Sequence, residues 1–154
     1  MPTVSYQLWF AVRYVHLASV TLVGGGAATL CGLCVWGAAG AAEMVFAAAA
    51  LYEWTFWTSI GVTVATGVSN LGLKGEGLLG PHTGWGTALT VKLAAVVMLL
   101  ALSVVRSDFV IRCREANIDA AAHARAILGT LYGLTVMVLL GALWIGLGLG
   151  HGRY

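Results

Sequence analysis

The chain has 154 residues, which suits one domain, 1–154, and charged residues make up only 9% of it against 60% hydrophobic. A soluble domain carries about 25% charged residues, so this composition excludes a water-covered surface and makes lipid the solvent of most of it. The net charge of +2 and the lack of a basic tail give no handle for nucleic acid, and 21 Gly beside 2 Pro suit closely packed membrane helices better than disorder.

A membrane helix needs roughly 20 mostly apolar residues, and four segments meet that: Leu8 to Val35, Glu53 to Leu73, Trp85 to Val105 and Ala126 to Leu149. The expected fold is therefore all-α, an integral membrane four-helix bundle. The first apolar run is too long for a signal-peptide core and is read as a retained span. The Ala-rich stretch Ala38 to Ala50 has high helix propensity; it extends a neighbouring helix or lies at the interface. The Gly- and Pro-containing segment Lys74 to Gly84 is a loop, and the polar stretch Arg106 to Arg125 is the third loop.

Lys and Arg concentrate on the cytoplasmic side of membrane proteins. Arg106, Arg112, Arg114 and Arg125 in the third loop outweigh Lys74 in the second, which places the third loop in the cytoplasm and both termini outside it. The chain is expected as a multi-pass protein of the inner (plasma) membrane, with the lipid bilayer as its first partner. Trp9, Trp54, Trp57, Trp85 and Trp144 are read as interfacial belt residues.

Ionisable side chains inside membrane helices are costly and usually face the bundle interior or a cavity, so the few present carry the functional reading. Arg13 and His16 lie three apart and share one face of helix one with Trp9. Lys92 sits on helix three. Ser59, Thr63, Thr66 and Asn70 form a polar stripe on helix two. At 1.5 Å per residue, His16 lies about 12 Å and Lys92 about 10 Å along their helices from the same side. Asn70, His82 and His151 fall at that side too. Arg13, His16, Asn70, His82, Lys92 and His151 therefore converge on one half of the bundle whichever way it is inserted.

Bundle cores house cofactors on facing helices, and a neutral imidazole is an axial haem ligand. The set suits a haem b, with His16 as the metal ligand. Lys92 and Arg13 would be propionate partners, or Lys92 a sixth ligand if deprotonated. The plainer reading has His16 hydrogen-bonded across helices and Lys92 snorkelling outward. His82 and His151 are read first as solvated and second as further axial ligands. Cys31-Gly-Leu-Cys34 is a CxxC without a second ligand pair, so buried core thiols are the better reading. Gly129-x-x-x-Gly133 is a small-residue motif that serves internal packing or self-association.

These residues resemble a membrane superfamily that holds HemJ-type protoporphyrinogen oxidases and CopD-type copper-resistance proteins. The matching segments are Trp9-Phe-Ala-Val-Arg-Tyr-Val-His16 with Gly24-Gly-Gly, then Thr66-Gly67, then Trp85-Gly-Thr-Ala-Leu-Thr-Val-Lys92, and a last helix opening near Ala124-Arg125-Ala126. The HemJ-type resemblance implies that His16 and Lys92 serve haem binding and activity. The second His that the family carries after helix one, and its Asn-Glu-x-Pro signature, have no counterpart here. The expected function is a b-type redox protein passing electrons between a quinone-like carrier and a substrate such as a porphyrinogen. The alternatives are copper handling through His16, His82 or His151, and a cofactor-free subunit of a homo-oligomer or larger membrane complex.

Overall fold

A computed structural model describes residues 3–38, 42–73, 82–115 and 121–150. They form four helices: α1 (Thr3–Trp36), α2 (Ala42–Leu73), α3 (Gly84–Glu115) and α4 (Ala121–Gly150). Short connections between long helices give an up-down-up-down bundle. α1 packs most extensively against α2 and then α4, α3 packs on α4, and the α2–α3 seam is much the slighter of the four. Large apolar side chains such as Leu8, Phe10, Leu71, Val97, Met137 and Leu147 remain exposed on the outside, which in a water-soluble bundle would be untenable and in lipid is the expected surface.

The chain is an all-α integral membrane bundle. Three helices, over Tyr6–Trp36, Gly84–Cys113 and Ala122–Leu149, are long and apolar enough to cross a membrane among the described residues. α2 is equally long at 32 residues and completes the bundle, with Glu53 and its Ser/Thr stripe interrupting its apolar run.

Three boundaries differ from the sequence expectation. The Ala-rich stretch belongs to α2 from Ala42 onward, since Ala is the best helix former and adds no polar group for lipid to reject. Trp54 and Trp57 consequently lie well inside α2 rather than at its end, with Trp54 79% exposed to the lipid side. The stretch from Arg106 is not loop either: α3 runs on to Glu115 and α4 begins at Ala121. Of the four arginines assigned to that loop, Arg106, Arg112 and Arg114 lie on α3 and Arg125 on α4.

Two helix ends show how the termini are satisfied. Thr83 caps α3: its Oγ1 accepts from the Gly86 N–H at 3.1 Å, and its carbonyl accepts from Thr87. The C-terminus of α1 is capped from across the bundle. The Arg125 guanidinium on α4 donates to the carbonyls of Leu33, Cys34, Gly37 and Ala38. A cation at a helix C-terminus also meets the negative end of its dipole.

Packing is uneven along the bundle axis. Among the described residues, the large buried side chains gather toward the Trp36 end: Val23, Leu30, Val45, Tyr52, Phe56, Val110, Leu128 and Tyr132. Toward the opposite end, which carries His16, Ile60 is the large buried side chain nearest the histidine, and beyond it small residues are buried: Ser19, Gly86, Ala88 and Gly148. Gly26 leaves the space that the Tyr52 ring of α2 fills, because a Cβ there would stand 2.5 Å from that ring. Gly129 and Gly133 face Cys34, Val35 and Cys31 of α1, and the Cys31 thiol donates to the Gly129 carbonyl at 3.4 Å. The small-residue motif thus serves packing within the chain. Of the two CxxC thiols Cys34 is buried as expected and Cys31 only partly, Cys113 is buried as well, and all three cysteines are free.

Candidate functional site

The end that carries His16 holds the predicted cluster. His16 is partly buried, and its Nδ1 stands 3.0 Å from the Thr63 carbonyl and 3.0 Å from Thr66 Oγ1. A carbonyl only accepts, so in the neutral ring Nδ1 carries the hydrogen and Nε2 keeps the lone pair. Thr66 passes its own hydroxyl hydrogen to the Val62 carbonyl at 2.7 Å and can accept from the ring. The polar stripe on α2 therefore faces α1, as its spacing predicts, and it fixes one tautomer of one histidine. Gly67 lies beneath that ring, where a Cβ would be 3.5 Å from His16 Cε1.

Lys92 on α3 is partly buried at the same end of the bundle. Its Nζ lies over Gly146 of α4, 3.0 Å from where a Cβ would be, so a larger residue at 146 would displace the ammonium. Asn70 is one turn beyond Thr66 on the same face of α2, and its Oδ1 is buried without a hydrogen-bond partner among the described residues. Buried polar atoms are nearly always paired, so this orphan marks a place where a donor is missing.

The remaining candidates separate. Arg13 is exposed, and its guanidinium stacks over the Trp9 ring at 5.2 Å from the centroid. His82 is exposed just ahead of α3. His151 lies outside the described residues. The structure thus brings together His16, Lys92 and the Thr63/Thr66/Asn70 stripe, and it leaves Arg13 and His82 on the surface. Among the described residues no three of His, Cys, Asp and Glu come together to hold a metal ion, so the copper alternative finds no such cluster there.

A second polar centre, which the sequence reading missed, ties α2, α3 and α4 together nearer the Trp36 end. Arg106 is 0% exposed. Its Nε and Nη2 donate to the two Glu53 oxygens at 2.7 and 3.2 Å, and Nη1 donates to Thr135 Oγ1 at 2.8 Å. Glu53 also accepts from Ser107 at 2.6 Å and Tyr132 at 3.1 Å. The guanidinium lies 4.6 to 5.2 Å from the ring centroids of Phe56, Tyr132 and Tyr52, and the Tyr52 hydroxyl donates to the Val23 carbonyl of α1 at 2.8 Å. All four helices are thereby linked. Trp57 adds a bond to Ser107 at 3.0 Å, so the slight α2–α3 seam is fastened mainly here. The signal was present in the sequence. Leu99, Ser103, Arg106, Val110 and Cys113 follow one helical stripe, and Glu53 is the one acid inside an apolar run that would need a cation.

Against known protein families, curated proteins and solved structures, the chain finds no match. What fold and site define is a class: a small four-helix membrane bundle with a polar lock in one half, and a tautomer-fixed histidine and a partly buried lysine in the other.

Proposed function

We propose that the protein is a b-type haem redox protein of the plasma membrane, with His16 as axial ligand. The observation that carries this is the His16 Nδ1 bond to the Thr63 carbonyl. Metal-ligating histidines typically donate their second ring N–H to a carbonyl or carboxylate, which orients the ring and raises the basicity of the free nitrogen. The side chains at this end also suit the group: one neutral imidazole and one amine at Lys92, seated over glycines at 67 and 146. A bound haem would supply one-electron chemistry. Thr63 and Thr66 hold the ring that binds it, Lys92 offers a second ligand or a propionate partner, and Arg13 offers a propionate partner from the surface.

The exchange partners suited to a lipid-embedded site are lipid-soluble: a quinone-like carrier, and an oxidisable substrate for which the HemJ-type resemblance suggests a porphyrinogen. Arg112, Arg114 and Arg125 near one end support placing that end in the cytoplasm and both termini outside.

The test is an optical spectrum of the detergent-purified protein, produced with ample haem, air-oxidised and then dithionite-reduced. The expected result is a Soret band with sharpened reduced bands in the wild type, lost in His16→Ala. A flat wild-type spectrum, or a normal one in His16→Ala, overturns the reading.

A further inference from the structure

At the Trp36 end a groove of about 510 Å³ runs between α1 and α4, walled by Cys34 and Val35 on one side and by Ala122, Ala126, Gly129 and Thr130 on the other, with Arg125 set into it. Its α4 wall repeats at helical spacing from 122 to 130, a length of about 12 Å. The wall is largely hydrocarbon and opens outward: Val35, Ala126 and Thr130 are exposed, and Trp36, 85% exposed, lies at the same level. An exposed Trp at a helix end is characteristic of the headgroup zone.

Arg125 differs from its neighbours on α3. Arg106 is paired with Glu53 and Arg112 with Asp108, whereas Arg125 has no carboxylate partner among the described residues. It is 8% exposed and, among the described residues, its guanidinium donates to backbone carbonyls only. Its Nε is buried with no hydrogen-bond partner among the described residues. The C-terminus of α1 offers roughly half a negative charge, which leaves a buried cation partly uncompensated at the foot of an apolar groove.

We infer that this groove is a binding site for an anionic phospholipid, an acyl chain lying between α1 and α4 and the phosphate neutralising Arg125. The charge calls for an anion and the walls call for a chain. A free phosphate would satisfy the first and leave the second unfilled. The inference is independent of the haem reading, since the groove lies at the opposite end of the bundle from His16.

The test uses the full chain in detergent, incubated with phosphatidylglycerol, with phosphatidylcholine of identical chains, or with inorganic phosphate. Lipid retained per protein after a delipidating wash is read by native mass spectrometry, and the unfolding temperature is measured alongside. The expected result is retention of phosphatidylglycerol over phosphatidylcholine on the order of fivefold, the weight of one cation against an anionic headgroup. Arg125→Gln should abolish the preference, but it also uncaps α1. Ala126→Phe and Thr130→Phe therefore fill the groove from exposed positions and leave the carbonyl bonds of Arg125 in place; each should lose bound lipid while keeping wild-type helicity. Equal retention of the two lipids, stabilisation by inorganic phosphate equal to that by phosphatidylglycerol, or wild-type retention in both Phe variants would overturn the inference.

Discussion

Replacing Glu53 by Gln tests whether the buried polar centre is an energetic lock. The carboxylate accepts four hydrogen bonds, from Arg106 Nε and Nη2, Ser107 and Tyr132. Gln keeps one acceptor oxygen and turns an NH2 group toward donors, while Arg106 stays charged at 0% exposure. Removing one partner of a buried ion pair costs about 3–5 kcal/mol, because the remaining charge stays desolvated. For a domain of this size each kcal/mol moves the midpoint by about 2–4 °C, which gives a fall of roughly 6–20 °C. Thermal unfolding of purified protein in one fixed detergent, followed by circular dichroism, measures it. The same reasoning predicts that Glu53→Leu combined with Arg106→Met regains most of the loss, since a buried pair replaced by apolar residues is often neutral or better. A Glu53→Gln variant within about 1 kcal/mol of wild type, or a double variant worse than either single one, would refute the assignment.

Other substitutions separate packing from charge. Gly26→Ala puts a methyl group into the Tyr52 ring, and overpacking of this kind costs about 1–3 kcal/mol; the Tyr52 bond to Val23 should be lost with it, visible as a changed near-UV tyrosine signal together with a lowered midpoint. Asp108→Asn removes an exposed i,i+4 pair with Arg112, and the midpoint should stay within measurement error, because such pairs contribute at most a few tenths of a kcal/mol.

The membrane class and the number of helices were legible because hydropathy is a local property, readable from Leu8–Val35 or Ala126–Leu149 without knowing what they touch. The link between His16 and α2 was partly legible too: Ser59, Thr63, Thr66 and Asn70 recur at helical spacing, and a polar stripe in lipid has to face another helix. Arg106 was misread for a physical reason. An arginine beside Ser107, Asp108, Arg112 and Arg114 looks like the start of a solvated loop, and only its pairing with a glutamate 53 positions earlier makes burial affordable. Pairing is a tertiary fact that no window over the sequence contains. Trp54 and Trp57 followed the same error, since placing the start of α2 at Glu53 made mid-helix tryptophans into belt residues. Arg13 shares a helical face with His16, yet the nearby Trp9 ring holds it outside, and spacing alone could not decide between the two.

The cap that Arg125 places on α1 has a consequence for biogenesis. The carbonyls of Leu33, Cys34, Gly37 and Ala38 find their donor about 90 residues further along the chain. At ribosomal rates of about 5–20 residues per second, that interval lasts on the order of 5–20 s. During this time the first span waits with its end open to water or headgroups, and the last span to be synthesised is the one that closes it. A nascent chain arrested before α4 would therefore present an unfinished first helix, and a ribosome stall or truncation in that interval leaves a recognisable target for quality control.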